Sequence, residues 1–263
     1  MKKICFLLMF AFAFVTLNSV EAQTEKKVKS VSTKADALMD QGKYYDAIQI
    51  YKKQYDKQKK SPMKSQAAYK AGECYRTISD WKDAEEWYGK AAKANAKDPN
   101  AVLRYGDALK ANGKYDEAIV QYNAYKALAP SDPAGEKGVQ SSQLSQGWKD
   151  KPLRCNVSNL SALNTKYIDY GLVYPKSDKN TVYFTSSRQE ATGQDNDAWY
   201  GEKYFDVFKS QKDNNGRWST PTTVVGTVND KWSDGSVWID ASNTVMYFTR
   251  DRKSTRLNSS HRT

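Results

Sequence analysis

Residues 106–130 read GDALKANGKYDEAIVQYNAYKALAP, and this stretch decides the fold of the first half of the chain. Three of its residues recur 34 positions earlier: Gly106, Ala118 and Tyr122 match Gly72, Ala84 and Tyr88. The alanine recurs again as Ala47, now 37 positions before Ala84, and a Lys- and Ser-rich turn near 59–62 accounts for the extra three residues. Each copy holds two amphipathic segments of about a dozen residues, which predicts a pair of helices per copy.

Short turns separate the predicted helices. Gly-Lys-Tyr stands at 42–44 and again at 113–115, and Ser-Asp-Trp takes the same place at 79–81. Small residues are expected where paired helices approach closely, and aromatic residues are expected to fill the space between successive pairs. Proline lacks the backbone donor that a helix interior needs, so three prolines are predicted to end helices: Pro99, Pro130 and Pro133.

The 34-residue period and its Gly, Tyr, Ala, Tyr and Pro positions resemble the tetratricopeptide repeat. The resemblance implies an α-helical solenoid over 23–150, with repeats at about 28–61, 65–98 and 99–132 and a capping helix after them. The first copy departs from the usual pattern, because Lys34-Ala35 replaces Leu-Gly and Gln54 replaces a common alanine. That departure puts its first helix in question.

Repeat arrays of this kind present a concave groove to peptides or partner proteins. The resemblance places five first-helix residues in that groove: Tyr69, Glu73, Arg76, Arg104 and Asp107. The alternative is that these residues form solvated helix faces. Residues 23–150 carry 23 Lys and Arg against 17 Asp and Glu, a net of +6, and the lysines are spread along the helices. That spread argues against a nucleic-acid-binding stripe.

After Pro152 the helical period ends, and short alternating apolar runs separated by Asn, Asp and Gly turns predict β-strands. Residues 169–188 align without gaps on 233–252, an offset of 64. Each copy is predicted to form strand, turn, strand. A third strand is predicted at Phe205–Phe208, a hairpin turn at 213–216, and a fourth strand at Trp218–Pro221.

Four antiparallel strands form one blade of a β-propeller. The motif order resembles the WD-like, TolB-type propeller repeats of bacterial envelope proteins, although the usual Ser-Pro-Asp-Gly turn is replaced at 176–180 and 240–243. The resemblance implies an incomplete propeller over 151–252, because two blades cannot close a ring. A plain β-sandwich is the alternative.

The polar segment 189–204 contains Asp195, Asn196 and Asp197. Its carboxylates could bind calcium, but the segment lacks the ligand spacing and closing Glu of an EF-hand loop. A mobile loop between strands is the favoured interpretation.

The chain termini carry expectations of their own. Residues 1–22 resemble a secretory signal peptide, with Lys2 and Lys3 before the apolar run 4–17 and small residues at the cleavage site. An uncleaved membrane anchor is the alternative, and the shortness of the apolar run disfavours it. Residues 253–263 are polar and resemble a translated adapter sequence, so a non-native tail is expected there, with a genuine polar tail as the alternative. No second apolar stretch approaches 18 residues, so no membrane span is predicted for the mature protein.

No common catalytic motif occurs in the sequence, and the chain has one His, at position 261. We therefore predict no enzyme activity, no catalytic residue, no metal and no cofactor. Cys74 and Cys155 could pair in an oxidising compartment, but they lie in different predicted domains, which favours two separate thiols. The net charge of +11 indicates an acidic partner or surface without identifying one.

A signal peptide, tetratricopeptide repeats and a WD-like propeller, in that order, resemble the N-terminal part of Bacteroidetes envelope proteins of the OmpA family and of type IX secretion. The resemblance implies a multidomain protein, α then β, that serves as a periplasmic scaffold, either free or associated with the outer membrane. It would bind envelope proteins through the repeat groove and the propeller face, and peptidoglycan only through a missing C-terminal domain. The alternative is the propeller part of an envelope peptidase whose catalytic domain is absent; an outer-membrane carbohydrate-uptake lipoprotein is disfavoured because no lipobox is present.

Overall fold

The computed structural model describes residues 34–59, 62–193 and 195–251. The predicted signal peptide and the predicted C-terminal tail lie outside the described residues. The chain divides into two compact units, with the boundary between Leu153 and Arg154. The first is helical and the second consists of β-strands and loops.

The described part of the first unit contains seven helices, and each from the second onward packs against the next. They are α1 (described over 34–40), α2 (Tyr44–Lys57), α3 (Pro62–Thr77), α4 (Trp81–Ala94), α5 (Pro99–Ala111), α6 (Tyr115–Leu128) and α7 (Ala134–Asp150). The first helix of the first repeat is thus present despite its atypical sequence. Helices α1, α3 and α5 are the first helices of the three repeats, and α2, α4 and α6 are the second helices.

The three predicted turns within repeats share one backbone conformation. Gly42, Ser79 and Gly113 all have φ between 63° and 75°, the left-handed region. The amide of the next residue donates to a carbonyl five residues earlier at 2.8–2.9 Å, which satisfies a helix C-terminal acceptor. Glycine adopts this conformation without strain. In the second repeat Ser79 adopts this left-handed conformation, because α3 ends with the same backbone hydrogen bond.

The prediction that Pro99 ends a helix is wrong, because Pro99 is the first residue of α5. The first turn of a helix has no acceptor for the amide of that residue, so proline fits there without loss. The Asp98 side chain accepts hydrogen bonds from the amides of Asn100 and Ala101 and caps the helix. Pro133 also stands at the beginning of a helix and not at the end of one, because it immediately precedes the first residue of α7.

Alanines and aromatic residues build the helical core, as the sequence indicates. Ala68, Ala71 and Ala84 are fully buried where helices approach closely, and Tyr88 fills the space beside them. Gly72 lies against the Tyr88 ring so closely that a Cβ at Gly72 would come within 2.7 Å of the ring carbon Cδ1. The glycine is therefore required by packing and not by backbone conformation.

The second unit contains a four-stranded antiparallel sheet with the order β1-β2-β3-β4. Its strands are β1 (Asp169–Val173), β2 (Thr181–Ser186), β3 (Asp206–Gln211) and β4 (Thr222–Thr223). The predicted fourth strand at Trp218–Pro221 is displaced, because Trp218 forms a single bridge to Lys212 and pairing resumes after the proline. Phe184 stacks on Phe208 in the core of this sheet.

A separate hairpin pairs β5 (Ser233–Ile239) with β6 (Met246–Asp251). Both hairpins shift register at the aligned positions, near Gly171 and Gly235. The two sheets touch at Thr185, whose Oγ1 accepts from the Ser236 amide at 3.1 Å. One four-stranded meander and one hairpin agree with the predicted strand order. The propeller itself stays a prediction.

Candidate functional site

The structure brings the five predicted groove residues into one network on the first helices of repeats two and three. Tyr69, Glu73 and Arg76 lie on one face of α3 at spacings of four and three residues. Arg104 and Asp107 lie one turn apart on α5. Their side chains are half-buried, so they are not free solvated charges. Their role in binding a partner stays a prediction.

Glu73 is the centre of the network. Its carboxylate accepts hydrogen bonds from Arg76 Nη2 at 2.9 Å and from the Tyr88 hydroxyl at 2.5 Å, and Arg104 Nε lies 3.4 Å from Oε1. Burial disfavours the charged form of Glu73, but these donors and the two arginine charges outweigh burial and hold its pKa below the ordinary value. The carboxylate is thus fully engaged within the protein.

Every repeat contains the same tyrosine–carboxylate contact. The hydroxyl of a second-helix tyrosine donates to a first-helix carboxylate 15 residues earlier. The pairs and distances are Tyr51 to Asp36 at 2.5 Å, Tyr88 to Glu73 at 2.5 Å, and Tyr122 to Asp107 at 2.8 Å. We call this series the tyrosine–carboxylate ladder. Burial and the neighbouring carboxylate raise the pKa of each tyrosine, which keeps the hydroxyl a donor.

Cations of one repeat link the ladder to the repeat before it. Lys70 Nζ lies 3.2 Å from Asp36, and Arg104 Nε, at the equivalent position 34 residues later, reaches Glu73. The next equivalent position is Gly138 in α7, where a Cβ would come within 2.4 Å of the Tyr122 ring. No cation fits at that position, so the linkage ends with the third repeat.

A pocket of about 460 Å³ opens beside this network. Its lining comes from α3, the starts of α4 and α6, α5 from its middle to its end, and α7: Arg76, Trp81, Arg104, Asp107, Lys110, Ala111, Tyr115 and Ser145. We call it the basic pocket, because three cations and one carboxylate line it. The capping helix, predicted as a solvating end, supplies one wall through Ser145.

Sequence reasoning missed three important pocket residues, although the repeat period contained the signal. Lys110 follows Arg76 by 34 residues, and Tyr115 follows Trp81 by 34 residues. The pocket is therefore lined by equivalent positions of the second and third repeats. Extending the predicted groove by one turn of α5 would have included Lys110, whereas Trp81 and Tyr115 begin the second helices α4 and α6.

A second cavity, of about 570 Å³, lies between α4, α5 and α6. Its charges largely neutralise one another, because Lys90 pairs with Glu86 at 2.6 Å and Glu85 binds Lys114 at 2.6 Å. Asn112 also donates to Glu85 at 2.8 Å. These contacts tie the α5–α6 turn to α4, which is a structural role.

Asp197 in the polar segment of the β unit orders its own turn. Its Oδ1 accepts from the amides of Trp199 at 2.7 Å and Tyr200 at 3.3 Å. Within residues 34–59, 62–193 and 195–251, no group of three or more His, Cys, Asp or Glu side chains is placed to hold a metal. The segment forms a hydrogen-bonded turn around Asp197.

The two described cysteines occupy different environments. Cys74 is buried in α3, and burial raises the pKa of its thiol to about 12. Cys155 is exposed. Both are free thiols in the structure, and Cys74 acts as a small core residue beside the alanines.

A sequence profile of the family described as "Tetratricopeptide repeat" matches residues 32–99 and 79–133. The helical unit contains tetratricopeptide repeats. These repeats account for the 34-residue period and the helix pairs. The profile covers the helical unit alone and does not extend to the β unit.

Among solved structures, the chain is similar to the first TPR of Spaghetti (RPAP3) bound to an HSP90 peptide, with 23% identity over 46% of this chain and 94% of that one, at a TM-score of 0.42. It is also similar to the second TPR domain of human RPAP3 in complex with an HSP70 peptide, with 18% identity over 45% of this chain and 97% of that one, at a TM-score of 0.42. A third such structure is the Sgt2 TPR domain from Aspergillus fumigatus, with 15% identity over 51% of this chain and 88% of that one, at a TM-score of 0.42. A similarity at this level does not indicate what this chain binds. No curated protein matches the sequence.

Within the described residues, no helix combines the length and the apolar character needed to cross a bilayer. The basic pocket and the network beside it are the strongest candidate site in the helical unit, because cations and aromatic side chains of two repeats meet there. The pocket offers cationic donors and aromatic surface.

Proposed function

We propose that the protein is a non-enzymatic interaction scaffold whose tetratricopeptide repeats bind partner proteins on the surface formed by their first helices. One observation carries the proposal: equivalent residues of the second and third repeats converge on one pocket beside the ladder. An array of first helices is a surface on which an extended segment of another chain can lie. The Glu73–Arg104 ion pair of the network joins the first helices α3 and α5.

The cellular setting is proposed from the sequence. Residues 1–22 have the pattern of a secretory leader, and the order of leader, helical repeats and WD-like strands resembles that of Bacteroidetes envelope scaffolds. We therefore place the protein in the periplasm, with envelope proteins as partners and with support of type IX secretion or cell-wall tethering as its role. In this proposal, the β unit belongs to a propeller with a second interaction face.

Binding through the pocket is tested by blocking it. Ala111 is exposed and lines the pocket, so Ala111→Trp would fill the space without removing a charge. Ala127→Trp, on exposed surface of α6, is the matched control. Affinity capture from envelope extracts should recover a specific protein with the wild type and the control, and lose it with Ala111→Trp. Equal recovery by all three would refute binding at this surface.

Export is tested independently. Residues 1–33 fused to an alkaline phosphatase that lacks its own leader should give enzyme activity, because this phosphatase is active only after export. A fusion with Phe10→Asp and Phe14→Asp in the apolar run should be inactive. Activity that is absent from both fusions would remove the periplasmic proposal and leave the binding proposal intact.

A further inference from the structure

Asp206 has a buried carboxyl group in which one of the two oxygens has no donor. The residue begins β3, and its side chain is fully buried. Oδ2 accepts hydrogen bonds from the Thr192 amide at 2.7 Å and from the Thr192 hydroxyl at 2.9 Å. Within residues 34–59, 62–193 and 195–251, no protein donor reaches Oδ1. Burial without a donor disfavours the ionised form of a carboxyl group.

Two further carboxylates lie near Asp206, and they share one cation. Asp234 of β5 is also fully buried, and its Oδ1 accepts from Arg250 Nε at 2.5 Å. Asp230, in the segment before β5, has its Oδ2 at 3.1 Å from Arg250 Nη1. Burial raises the pKa of Asp206 above its ordinary value, and the charges of Asp234 and Asp230 raise it further. The hydrogen bonds from Thr192 lower this pKa but do not offset these effects.

The elements around Asp206 carry four cations, and each of them is engaged elsewhere: Arg188, Lys203, Lys231 and Arg250. Arg188 binds Asp169, and Arg250 binds the two carboxylates just described. The Lys203 ammonium donates to backbone carbonyls, and the Lys231 ammonium lies over an aromatic ring. In the part of the chain that the structure describes, none of the four forms an ion pair with Asp206.

Asp206 lies at the contact between the four-stranded sheet and the β5–β6 hairpin, which we call the sheet–hairpin junction. The Asp234 amide donates to the Phe205 carbonyl at 2.7 Å, so β5 is bonded to the residue next to Asp206. The Thr192 hydroxyl extends the link, because it also lies 3.0 Å from the Asp230 carbonyl. Opening the junction brings water to Asp206 and separates it from the carboxylates of the hairpin. An ionised Asp206 therefore favours the open form, and a neutral Asp206 favours the closed form.

We propose that Asp206 is a pH-sensitive switch of the sheet–hairpin junction: acid neutralises its carboxylate and closes the junction, and rising pH loosens it. A carboxyl group whose pKa is raised in the folded protein contributes stability that is complete below the ordinary value of 3.8. That contribution is lost as pH rises through the folded pKa. Glu73 has the opposite sign, because its pKa is depressed, so acid acts in opposite directions at these two carboxyl groups.

Hydrogen exchange of the full chain, followed by NMR, tests the proposal. The Asp234 amide reports on the junction, because its bond to the Phe205 carbonyl lies within it. Its protection factor is the intrinsic exchange rate divided by the measured rate at the same pH. Between about pH 5 and about pH 8, this protection factor should fall at least about threefold in the wild type.

Asp206→Asn removes the titrating group and keeps an oxygen that can accept from Thr192. In this variant the protection factor of the Asp234 amide should change by less than about 1.5-fold over the same range. Asp195→Asn is the matched control, because it makes the same substitution at an exposed residue of the segment before β3. It should retain the fall seen in the wild type. A wild-type protection factor that stays constant or rises with pH would overturn the proposal, and so would an equal fall in Asp206→Asn.

A second measurement on the wild type keeps the test valid if Asp206→Asn does not fold. The side-chain carboxyl carbon of Asp206, assigned through its own Cβ, is followed by ¹³C NMR as pH is raised. Its chemical shift should titrate with a pKa above 3.8. Titration at or below 3.8 would contradict the switch, because the carboxylate would then be ionised throughout the range in which the junction is expected to respond.

Discussion

The two units of this chain repeat in different ways. In the helical unit, equivalent positions make equivalent contacts, so the carboxylate at 36, 73 or 107 always accepts from the tyrosine 15 residues later. In the β unit, the segments 169–188 and 233–252 align at an offset of 64, yet their buried ion pairs do not correspond. Asp169 binds Arg188, whereas Asp234 binds Arg250.

The difference follows from what each kind of repeat must bury. Stacked helix pairs present the same face to the same neighbour, so one solution serves every repeat. Within the described residues, the two aligned hairpins have different surroundings, since β5 of the second hairpin packs against β1, β2 and β3 of the first sheet. The alignment therefore conserves the register shift and the core positions but not the charges.

The largest expected effect comes from the buried ion pair of the β unit. Arg188 and Asp169 have side chains only 6% and 7% exposed, and Arg188 also donates to Ser186 Oγ and to the Leu163 carbonyl. Arg188→Met should destabilise the β unit by about 3–5 kcal/mol, because the buried Asp169 carboxylate loses its charged partner and keeps only neutral donors from Ser186 and Thr165. Hydrogen exchange of the β2 segment measures this in the full chain.

Arg104→Met in the helical unit is the comparison. The Arg104 side chain is 38% exposed, so its loss should cost less than about 1 kcal/mol. Similar losses of stability in Arg188→Met and Arg104→Met would contradict the description of the Arg188 ion pair as buried and of the Arg104 ion pairs as half-exposed.

Glycine packing gives the next largest effect. Gly72→Ala should destabilise the helical unit by about 1–3 kcal/mol, because the new Cβ would meet the Tyr88 ring at 2.7 Å. Gly147→Ala, in α7 with nothing within 4 Å, should instead stabilise by up to about 1 kcal/mol. Urea unfolding followed by circular dichroism at a helical wavelength measures both. Changes of the same sign would refute the close approach of α3 and α4.

Removing the ladder hydroxyls should have a moderate effect. Tyr88→Phe and Tyr122→Phe should each cost about 1–2 kcal/mol, since each leaves a half-buried carboxylate with one donor fewer. Tyr45→Phe, at a side chain 41% exposed, is the control and should be near neutral. Unequal losses at the two ladder positions would show that the repeats are not equivalent in energy, although they are equivalent in geometry.

The smallest effect concerns acid stability. The pKa of Glu73 is depressed in the folded protein, so its stabilising contribution is present above the ordinary value of 4.5 and is lost as pH falls below it. Wild type should lose more stability than Glu73→Gln between about pH 5 and about pH 3. The comparison uses thermal unfolding at each pH. A steeper loss in Glu73→Gln would reverse the sign and contradict the network around Glu73.

The sequence predicts the helical unit well because its period carries the information. The 34-residue step predicts the helix pairs and the turns at Gly42 and Gly113, and it places Glu73 near Arg104. Applied to Arg76 and Trp81, the same step would have indicated Lys110 and Tyr115. The partner of each cation could not be predicted, because side-chain direction decides whether Arg104 reaches Asp107, Glu73 or both.

Charges in the β unit could not be predicted from the alignment. Asp169 aligns with Ser233, and Ser186 aligns with Arg250, so neither residue of one pair predicts the other pair. The proline error has a similar origin, since proline both follows helix ends and begins helices, and Asp98 decides between these roles at Pro99. These features depend on contacts with local side chains, which a periodic sequence pattern does not specify.

The central claim is that partners bind on the first-helix side of the repeats, at the basic pocket. A photoreactive benzoylphenylalanine at Tyr115, which lines the pocket, tests it against one at Val120, which is 61% exposed on the same helix. After irradiation in envelope extract, we expect a specific cross-linked partner from position 115 and none from position 120. Cross-linking from position 120 alone, or equally from both positions, would contradict the claim.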